Sequence, residues 1–397
     1  MTKGNKRVLL ILLCCVLLAA IALIIINRIN ATPDGNGPQA SATNTPTASA
    51  TPSPTPTATP SATPETTPTP SASPEPTGSA GEQLIIRTDY EAFKPNEVGE
   101  IPVIMFHNFV ESLDDTTDKE YTTSFELFEE LLQTLYDAGF VPISMKDFID
   151  SHITVPAGKM PVVFTFDDGS AGQFNLIREN GKLIVNPNSA VGVLVEFNKK
   201  HPDFGLKGIF YVNMNLGDNT FKGEGTQAER FELLESLGFE LGSHTWGHVD
   251  FNKAKNTEAS IQEAMGKNQE AAFEILPSLK FYSLALPYGS RPSNEALRLF
   301  LRSGEYNGTA YYHENIMAVG ANPTVPSIAV KYNPMYVSRI RAQGKIAVEC
   351  DLTWWLPKMT ASRMYVSDGD PMTIVIPESK ADLVNQDNLN GKKLITY

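Results

Sequence analysis

Two short phrases of the sequence hold residues that could do chemistry together. Asp167 and Asp168 stand side by side in TFDDG, directly after the apolar stretch 161–166, and His244 and His248 are four residues apart in SHTWGH. One carboxylate and two imidazoles suit Zn²⁺ or a similar divalent ion, with positions left open for water and substrate. Such an ion neutralises one aspartate and leaves the other ionised as a general base. The pattern therefore predicts a metal centre with a base beside it.

A structural interpretation of the two aspartates competes with this one. Asp167 could cap a helix while Asp168 pairs with a lysine, but a single cap accounts for only one of the two acids. A His-x-x-x-His pair by itself is also common outside metal sites, so the metal-centre prediction depends on both phrases together. Gly169 follows the aspartates and permits the turn that brings backbone close to a ligand.

Strand-like and helix-like segments alternate from about residue 100 onward and would position these residues. The predicted strands are 101–107, 140–145, 161–166, 207–213, 239–244, 281–289, 309–313 and 345–351. The predicted helices are 124–139, 189–201, 228–238, 258–276 and 294–304, and Asn180-Gly181 marks a hairpin turn. Alternation of this kind implies parallel strands with crossover helices, which a barrel and an open doubly wound sheet both satisfy. In either fold the candidate residues follow strand carboxyl ends, where active sites gather.

The first eighty residues differ in composition from the rest of the chain. Residues 8–26 form an unbroken apolar run with basic residues ahead of it, long enough for a helix to cross a hydrocarbon layer about 30 Å thick. Ala, Thr, Pro and Ser dominate 31–80, a composition that cannot bury a core. We therefore predict a signal anchor over 1–30, a disordered linker over 31–80 and one catalytic domain over 81–397. A cleaved signal peptide, which would release a secreted domain, is the alternative.

The net charge limits the possible partners, and the cysteine content limits how the domain can be stabilised. The formal net charge of −13 disfavours polyanions, so no nucleic-acid partner is expected. Cys14 and Cys15 lie in the apolar run and Cys350 stands alone, so no disulfide can form inside the predicted domain. Its stability must then come from a large hydrophobic core.

TFDDG, SHTWGH and LPYG, in this order, resemble the metal and substrate motifs of the polysaccharide deacetylases, the carbohydrate esterases with a NodB-type domain. The resemblance covers roughly 100–355 and implies an α/β fold, a distorted (β/α) barrel of about seven parallel strands. It implies that Asp168, His244 and His248 bind a divalent metal ion, with Zn²⁺ expected and Co²⁺ or Ni²⁺ as alternatives. Asp167 would be the base that takes a proton from the water attacking an acetyl carbonyl.

The catalytic acid departs from the usual family pattern. The family supplies a late histidine in a Leu-x-His motif, whereas no histidine follows His313 in this chain. The early phrase IPVIMFHN instead resembles the opening of the poly-N-acetylglucosamine deacetylase branch, whose motifs are circularly permuted. This resemblance implies that His107 donates a proton to the leaving group. A histidine that merely caps the first strand is the alternative.

A second departure concerns the arginine that orients the base in this family. Ala285 occupies its position in LALPYG, and the sequence leaves Arg291 and Arg339 as possible replacements.

The substrate-binding residues are also implied by the resemblance. Pro287, Tyr288 and Gly289 would line the groove, with the Tyr288 amide as a possible oxyanion donor. Trp354 could stack on a sugar or, equally, pack in the core, as could Trp355.

These observations predict a membrane-anchored, single-pass protein whose extracellular domain is a metal-dependent polysaccharide deacetylase, a hydrolase of carbon–nitrogen bonds other than peptide bonds. The expected substrate is an acetylated cell-envelope or exported polysaccharide that contains N-acetylglucosamine. Two alternatives stay open at this point. One is a glycan-binding protein on a catalytically weakened scaffold, which the missing arginine and late histidine favour. The other is an O-acetyl esterase acting on xylan-type chains.

Overall fold

The computed structural model describes residues 84–118, 120–342 and 348–397. The predicted anchor over 1–30 and linker over 31–80 lie outside these residues, so both stay predictions. Across the described ranges, no helix combines the length and the apolar character that a membrane span requires.

The bounds of the elements follow the predicted alternation of strands and helices. The strands are β1 (Val103–Phe106), β2 (Asn108–Val110), β3 (Thr122–Ser124), β4 (Phe140–Pro142), β5 (Met160–Asp167), β6 (Leu176–Glu179), β7 (Lys182–Val185), β8 (Ile209–Val212), β9 (Glu240–Ser243), β10 (Ser283–Ala285), β11 (Ser303–Tyr306), β12 (Thr309–Tyr312), β13 (Asn315–Met317), β14 (Ile340–Arg341), β15 (Thr373–Ile376) and β16 (Lys393–Thr396). The helices are α1 (Tyr90–Phe93), α2 (Phe125–Asp137), α3 (Met145–Asp150), α4 (Ala190–Lys200), α5 (Gln227–Ser236), α6 (Glu258–Ile275) and α7 (Leu352–Trp355).

The main sheet is parallel and has the order β13-β10-β9-β8-β5-β1-β14, with β4 paired to β5. The segment that leads into β14 contacts both β13 and β1. Val337 bridges to Met317 of β13, and Ile340 pairs with Ile104 of β1. This arrangement fits the predicted distorted (β/α) barrel of about seven strands.

Strand β5 is buried along its whole length, as its apolar sequence predicts for a central parallel strand. Because side chains alternate along a strand, Phe164 and Phe166 belong to the core that the outer helices cover. Val163, Thr165 and Asp167 point the other way, toward the barrel interior. The strand therefore delivers Asp167 to its carboxyl end on the inner face.

The alternation of elements predicts that strand 309–313 belongs to the main sheet. This prediction is wrong, because the strand pairs outside that sheet. Strand β12 pairs antiparallel with β11, which replaces the end of the predicted helix 294–304. The rest of that helix is a 3-10 helix, Glu295–Leu301. Asn307-Gly308 forms a two-residue turn with φ of 50° and 83°, so the chain pairs locally. The expected place in the sheet belongs to β13.

The predicted strand 345–351 is also wrong over its described part, 348–351, which forms a turn. Cys350 has a φ of 70°, incompatible with an extended strand. Arg341 donates to both carboxylate oxygens of Asp351 at 3.0 Å, which ties the turn back to the barrel. The main sheet instead ends earlier, at β14.

A second, smaller sheet lies beside the barrel and is formed by the last residues of the chain. β15 and β16 pair in parallel, and Ile374 and Ile376 share a core with Val98 and Ile328. Glu97 is buried beneath this sheet and accepts hydrogen bonds from the backbone N–H groups of Asp368 (3.2 Å) and Val375 (2.6 Å). The last forty residues therefore pack outside the main sheet.

Candidate active site

The two adjacent aspartates at the end of β5 have different partners. Arg339 donates to both oxygens of the Asp167 carboxylate at 2.7 Å, and the exposed fractions of these side chains are 0% and 2%. Arg339 also donates to the carbonyl of Ala318 (2.9 Å) and to Thr165 Oγ1 (3.2 Å). Asp167 is therefore held in one orientation by a bidentate, fully buried ion pair.

This ion pair determines the charge of Asp167. Burial raises the pKa of the carboxyl, but the positive charge and hydrogen bonds of Arg339 outweigh it, so the pKa lies below its usual value. Asp167 is ionised and does not cap a helix. Arg339 reaches it from the segment that leads into β14, where Ala285 cannot. Arg291 lies elsewhere, with its guanidinium 4.2 Å from the ring centroid of Tyr336.

Asp168 turns toward the two predicted histidines. Its Oδ1 lies 3.4 Å from His244 Nε2 and 3.3 Å from His248 Nε2, and one ligand atom from each residue lies within 4.8 Å of the others. Ligands that bind Zn²⁺ tetrahedrally at about 2.0–2.2 Å are separated by about 3.3–3.6 Å. The donor types and their spacing therefore fit a divalent ion, and no lysine pairs with Asp168 among the described residues.

A backbone contact orients the ring of His244. Its Nδ1 lies 2.9 Å from the carbonyl oxygen of Ala285, a contact in which Nδ1–H donates. This tautomer leaves the Nε2 lone pair free on the side of Asp168. Burial raises the pKa of Asp168, but the nearby His244 and His248 imidazoles lower it, so the pKa lies far below its usual range. Asp168 is thus ionised, as a carboxylate that binds a cation must be.

Three candidate residues adopt a backbone conformation that sequence patterns do not reveal. The φ angles of Asp168, His248 and Tyr288 are 86°, 51° and 57°, in the left-handed region that non-glycine residues rarely occupy. Such residues cluster at functional sites. Gly169 (φ 70°) forms the predicted turn, where a Cβ atom would lie 3.0 Å from Thr220 Cγ2.

His107 follows β1 and lies beside Asp167. Its Nε2 is 3.8 Å from Asp167 Oδ2, and its ring centroid lies 4.9 Å from that of Tyr121. Burial lowers the pKa of His107, although the charges of Asp167 and Asp168 partly oppose this shift. Because β1 and β5 are neighbouring strands, residues 60 positions apart in the chain come together.

The predicted substrate residues occupy two places. Pro287, Tyr288 and Gly289 form a 3-10 turn after β10. The exposed Tyr288 ring has its centroid 4.8 Å from that of His248, so this turn borders the ligand cluster. Trp354 packs partly buried against the main core, and the Lys358 ammonium lies 3.3 Å from its ring centroid. Among described residues, no ring contact or hydrogen bond joins Trp354 to the metal-ligand set.

Sequence reasoning missed one residue of the site entirely. Gln173 is fully buried in the loop after β5, and its Nε2 donates to the backbone carbonyls of His107 (2.7 Å) and Asp167. A single glutamine in a loop carries no motif signal. The signal for Arg339 was also weak, because nothing near it in the chain indicates that it lies opposite Asp167.

The described fold and site define a (β/α)-barrel protein with a carboxylate–imidazole cluster at the carboxyl ends of its strands. Residues 154–307 match the family model described as polysaccharide deacetylase, the family that the sequence motifs resemble. The matched segment contains Asp167 and the three ligand candidates, whereas His107 and Arg339 lie outside it. None of the curated proteins matches the sequence.

Several solved structures are similar to this chain. A putative polysaccharide deacetylase from Bacillus anthracis is 18% identical, covers 66% of this chain and 69% of its own, and has a TM-score of 0.47. The Streptococcus pyogenes deacetylase PplD in complex with acetate is 18% identical, with 66% and 98% covered and a TM-score of 0.47. IcaB from Ammonifex degensii is 19% identical, with 66% and 96% covered and a TM-score of 0.44.

Proposed function

We propose that this protein hydrolyses N-acetyl groups on a polysaccharide that contains N-acetylglucosamine and releases acetate and a free amine. The observation that carries the proposal is the convergence of two different groups at one strand end. Asp168 Oδ1 lies 3.3–3.4 Å from two imidazoles, while Asp167 Oδ2 lies 3.8 Å from His107. A metal-ligand set thus adjoins a carboxylate–imidazole pair that can move protons.

Asp168, His244 and His248 would hold the ion, for which we propose Zn²⁺. When bound, the ion supplies Lewis acidity and makes water a stronger nucleophile at neutral pH. The set supplies three protein ligand atoms, so coordination positions remain for water and substrate.

Asp167 takes a proton from the water that attacks the acetyl carbon. Both of its oxygens accept bonds from Arg339, but each carboxylate oxygen retains a further lone pair. His107 gives a proton to the amine nitrogen as the C–N bond breaks. Its Nε2 lies 3.8 Å from Asp167 Oδ2, a separation that one bridging water spans when the carboxyl proton passes to the imidazole. The backbone N–H of Tyr288 would stabilise the oxyanion.

The Asp167–Arg339 pair supports catalysis over the alternative of a weakened glycan-binding protein. That alternative drew its support from the absent motif arginine and late histidine. A guanidinium at the base and an imidazole 3.8 Å from it supply both chemical groups from other chain positions.

We further propose that residues 8–26 anchor the chain in a membrane and that the linker over 31–80 extends the domain outward. A polymer in a wall or matrix is a fixed target, which a tethered enzyme can reach through a long spacer. Cleavage of the anchor would release the same domain as a secreted enzyme.

Acetate release from N-acetylglucosamine oligomers by the full chain tests the proposal. We expect release that a chelator abolishes and that Zn²⁺ restores, with O-acetylated xylan a poorer substrate. Oligomer binding without release would favour the glycan-binding alternative, and release from xylan alone would favour the esterase.

Metal analysis provides a measurement that does not depend on activity. Asp168→Asn is expected to lose stoichiometric zinc, because one of three ligands is gone. Asp203→Asn is a matched control, since Asp203 accepts a hydrogen bond from Tyr136 at the exposed surface. Equal zinc content in the two variants would remove Asp168 from the ligand set.

A further inference from the structure

The side chain of Gln173 connects the ends of two neighbouring strands. Its Nε2 amide group carries two hydrogens, and it donates to the carbonyl oxygens of His107, after β1, and Asp167, the last residue of β5. These are the residues proposed as acid and base. One amide thus spans the gap between the two backbones that carry the proton-transfer groups.

The Gln173 backbone is itself held on both sides. Its N–H donates to the carbonyl of Ser170 at 3.1 Å, and its carbonyl accepts from the N–H of Val191 at the start of α4 at 3.0 Å. The neighbouring Phe174 is fully buried in the main core. The amide is therefore fixed to a rigid loop and helix, so it can set a distance as well as contribute a contact.

The surroundings of Gln173 indicate a role for its donor group alone. The side chain is 0% exposed, and its Oε1 accepts no hydrogen bond from the described residues. Burying an amide oxygen without a donor is unfavourable, so the conformation is maintained by the two bonds that Nε2 donates.

We infer that Gln173 is a positioning residue that sets the separation of His107 from Asp167. This inference rests on the proposed function. Displacing a reacting group by about 1 Å can cost about 100-fold in rate, so loosening the two strand ends slows proton transfer. Substrate binding, which depends on other residues, is unaffected.

Gln173→Met tests the inference, because methionine keeps the length and removes both donors. We expect kcat for acetate release to fall about 10- to 100-fold with KM unchanged. Gln269→Met is a matched control. Gln269 is also a buried glutamine. Its Nε2 donates to the Leu279 carbonyl and its Oε1 accepts from the Phe281 N–H, both of which precede β10 and so lie toward the end of that strand opposite the site. Gln269→Met is expected to lower the stability of the fold, while kcat stays within about twofold of the wild-type value.

A double-mutant cycle separates positioning from general destabilisation. If Gln173 acts through His107, Gln173→Met lowers kcat much less in a His107→Ala background than in the wild type. Equal factors in both backgrounds, or a Gln173→Met loss no greater than that of Gln269→Met, would overturn the inference.

A crystal structure of Gln173→Met gives a readout that does not require turnover. We expect the His107 Nε2 to Asp167 Oδ2 distance to lengthen from 3.8 Å or to vary between copies. An unchanged distance would overturn the inference even if the wild type proved inactive. Absence of acetate release from the wild type would instead count against the proposed function.

Discussion

Two buried carboxylates in this protein meet opposite electrostatic environments. Asp167, at the end of β5, and Glu97, beneath the small sheet, are each 1% exposed. Asp167 has the guanidinium of Arg339 on both oxygens, whereas Glu97 has backbone N–H donors and lies near the acidic Asp368.

The difference shows what a counter-charge does to a buried acid. Burial raises the pKa of both carboxyls, yet Arg339 brings the pKa of Asp167 below its usual value. For Glu97, burial and then the charge of Asp368 leave the pKa well above it. The barrel rim therefore stabilises an ionised acid suited to act as a base, and the small sheet favours a neutral one.

Asp167→Asn should produce the largest effect on the chemistry. Removing a general base lowers the rate about 10²- to 10⁴-fold, so we expect a loss of kcat of that order with zinc content unchanged. Glu97→Gln is the matched control, because it replaces the other buried carboxyl group with an amide away from the rim. Wild-type turnover in Asp167→Asn would show that the clamped carboxylate is not the base.

Arg339→Met should produce the largest effect on stability. Breaking a buried ion pair by removing one partner costs about 3–5 kcal/mol of unfolding free energy, because Asp167 is left without a counter-charge. Urea denaturation measures this change. Arg291→Met removes an arginine that stacks on Tyr336 and should cost far less. Similar losses of unfolding free energy in the two variants would show that the buried Arg339–Asp167 pair stabilises the fold no more than the Arg291–Tyr336 contact does.

Glu97→Gln should change how stability depends on pH. The pKa of Glu97 is higher in the folded state than in the unfolded state. Its contribution to folding stability is therefore fully present below the unfolded pKa of about 4.3 and is lost as pH rises toward the folded pKa. Glutamine does not ionise, so its variant does not share this loss. The unfolding free energy of the variant relative to the wild type should rise by about 1.4 kcal/mol per pH unit across that window. A difference in unfolding free energy that is constant from pH 4 to pH 8 would argue against a raised pKa.

Thr165→Val should produce the smallest effect. The change removes one hydrogen bond that Arg339 donates and one that Thr165 donates to the Ile104 carbonyl, worth about 0.5–1.5 kcal/mol each. Thermal unfolding can resolve such a change. Thr134→Val loses a comparable bond to the Glu130 carbonyl on the exposed face of α2 and should change stability less. If both variants lost the same stability, the buried network around Arg339 would be no stronger than a surface bond.

Local patterns in the sequence determined the elements and the metal-ligand candidates. The alternation of strands and helices, the Ser124 cap of α2 and the Asn180-Gly181 hairpin follow from nearby residues, so the sequence predicts them. The TFDDG and SHTWGH phrases likewise depend on residues a few positions apart. Local patterns failed at 309–313 and 345–351, where turn conformations decided the pairing.

Only the tertiary structure decided which groups surround Asp167. Arg339 reaches Asp167, and Gln173 reaches His107, because the sheet places β14, β1 and β5 side by side and brings distant segments within hydrogen-bonding distance. No periodicity in the chain encodes such contacts. The same holds for the directions of the two pKa shifts, since the charge of a buried acid depends on which side chains surround it in space.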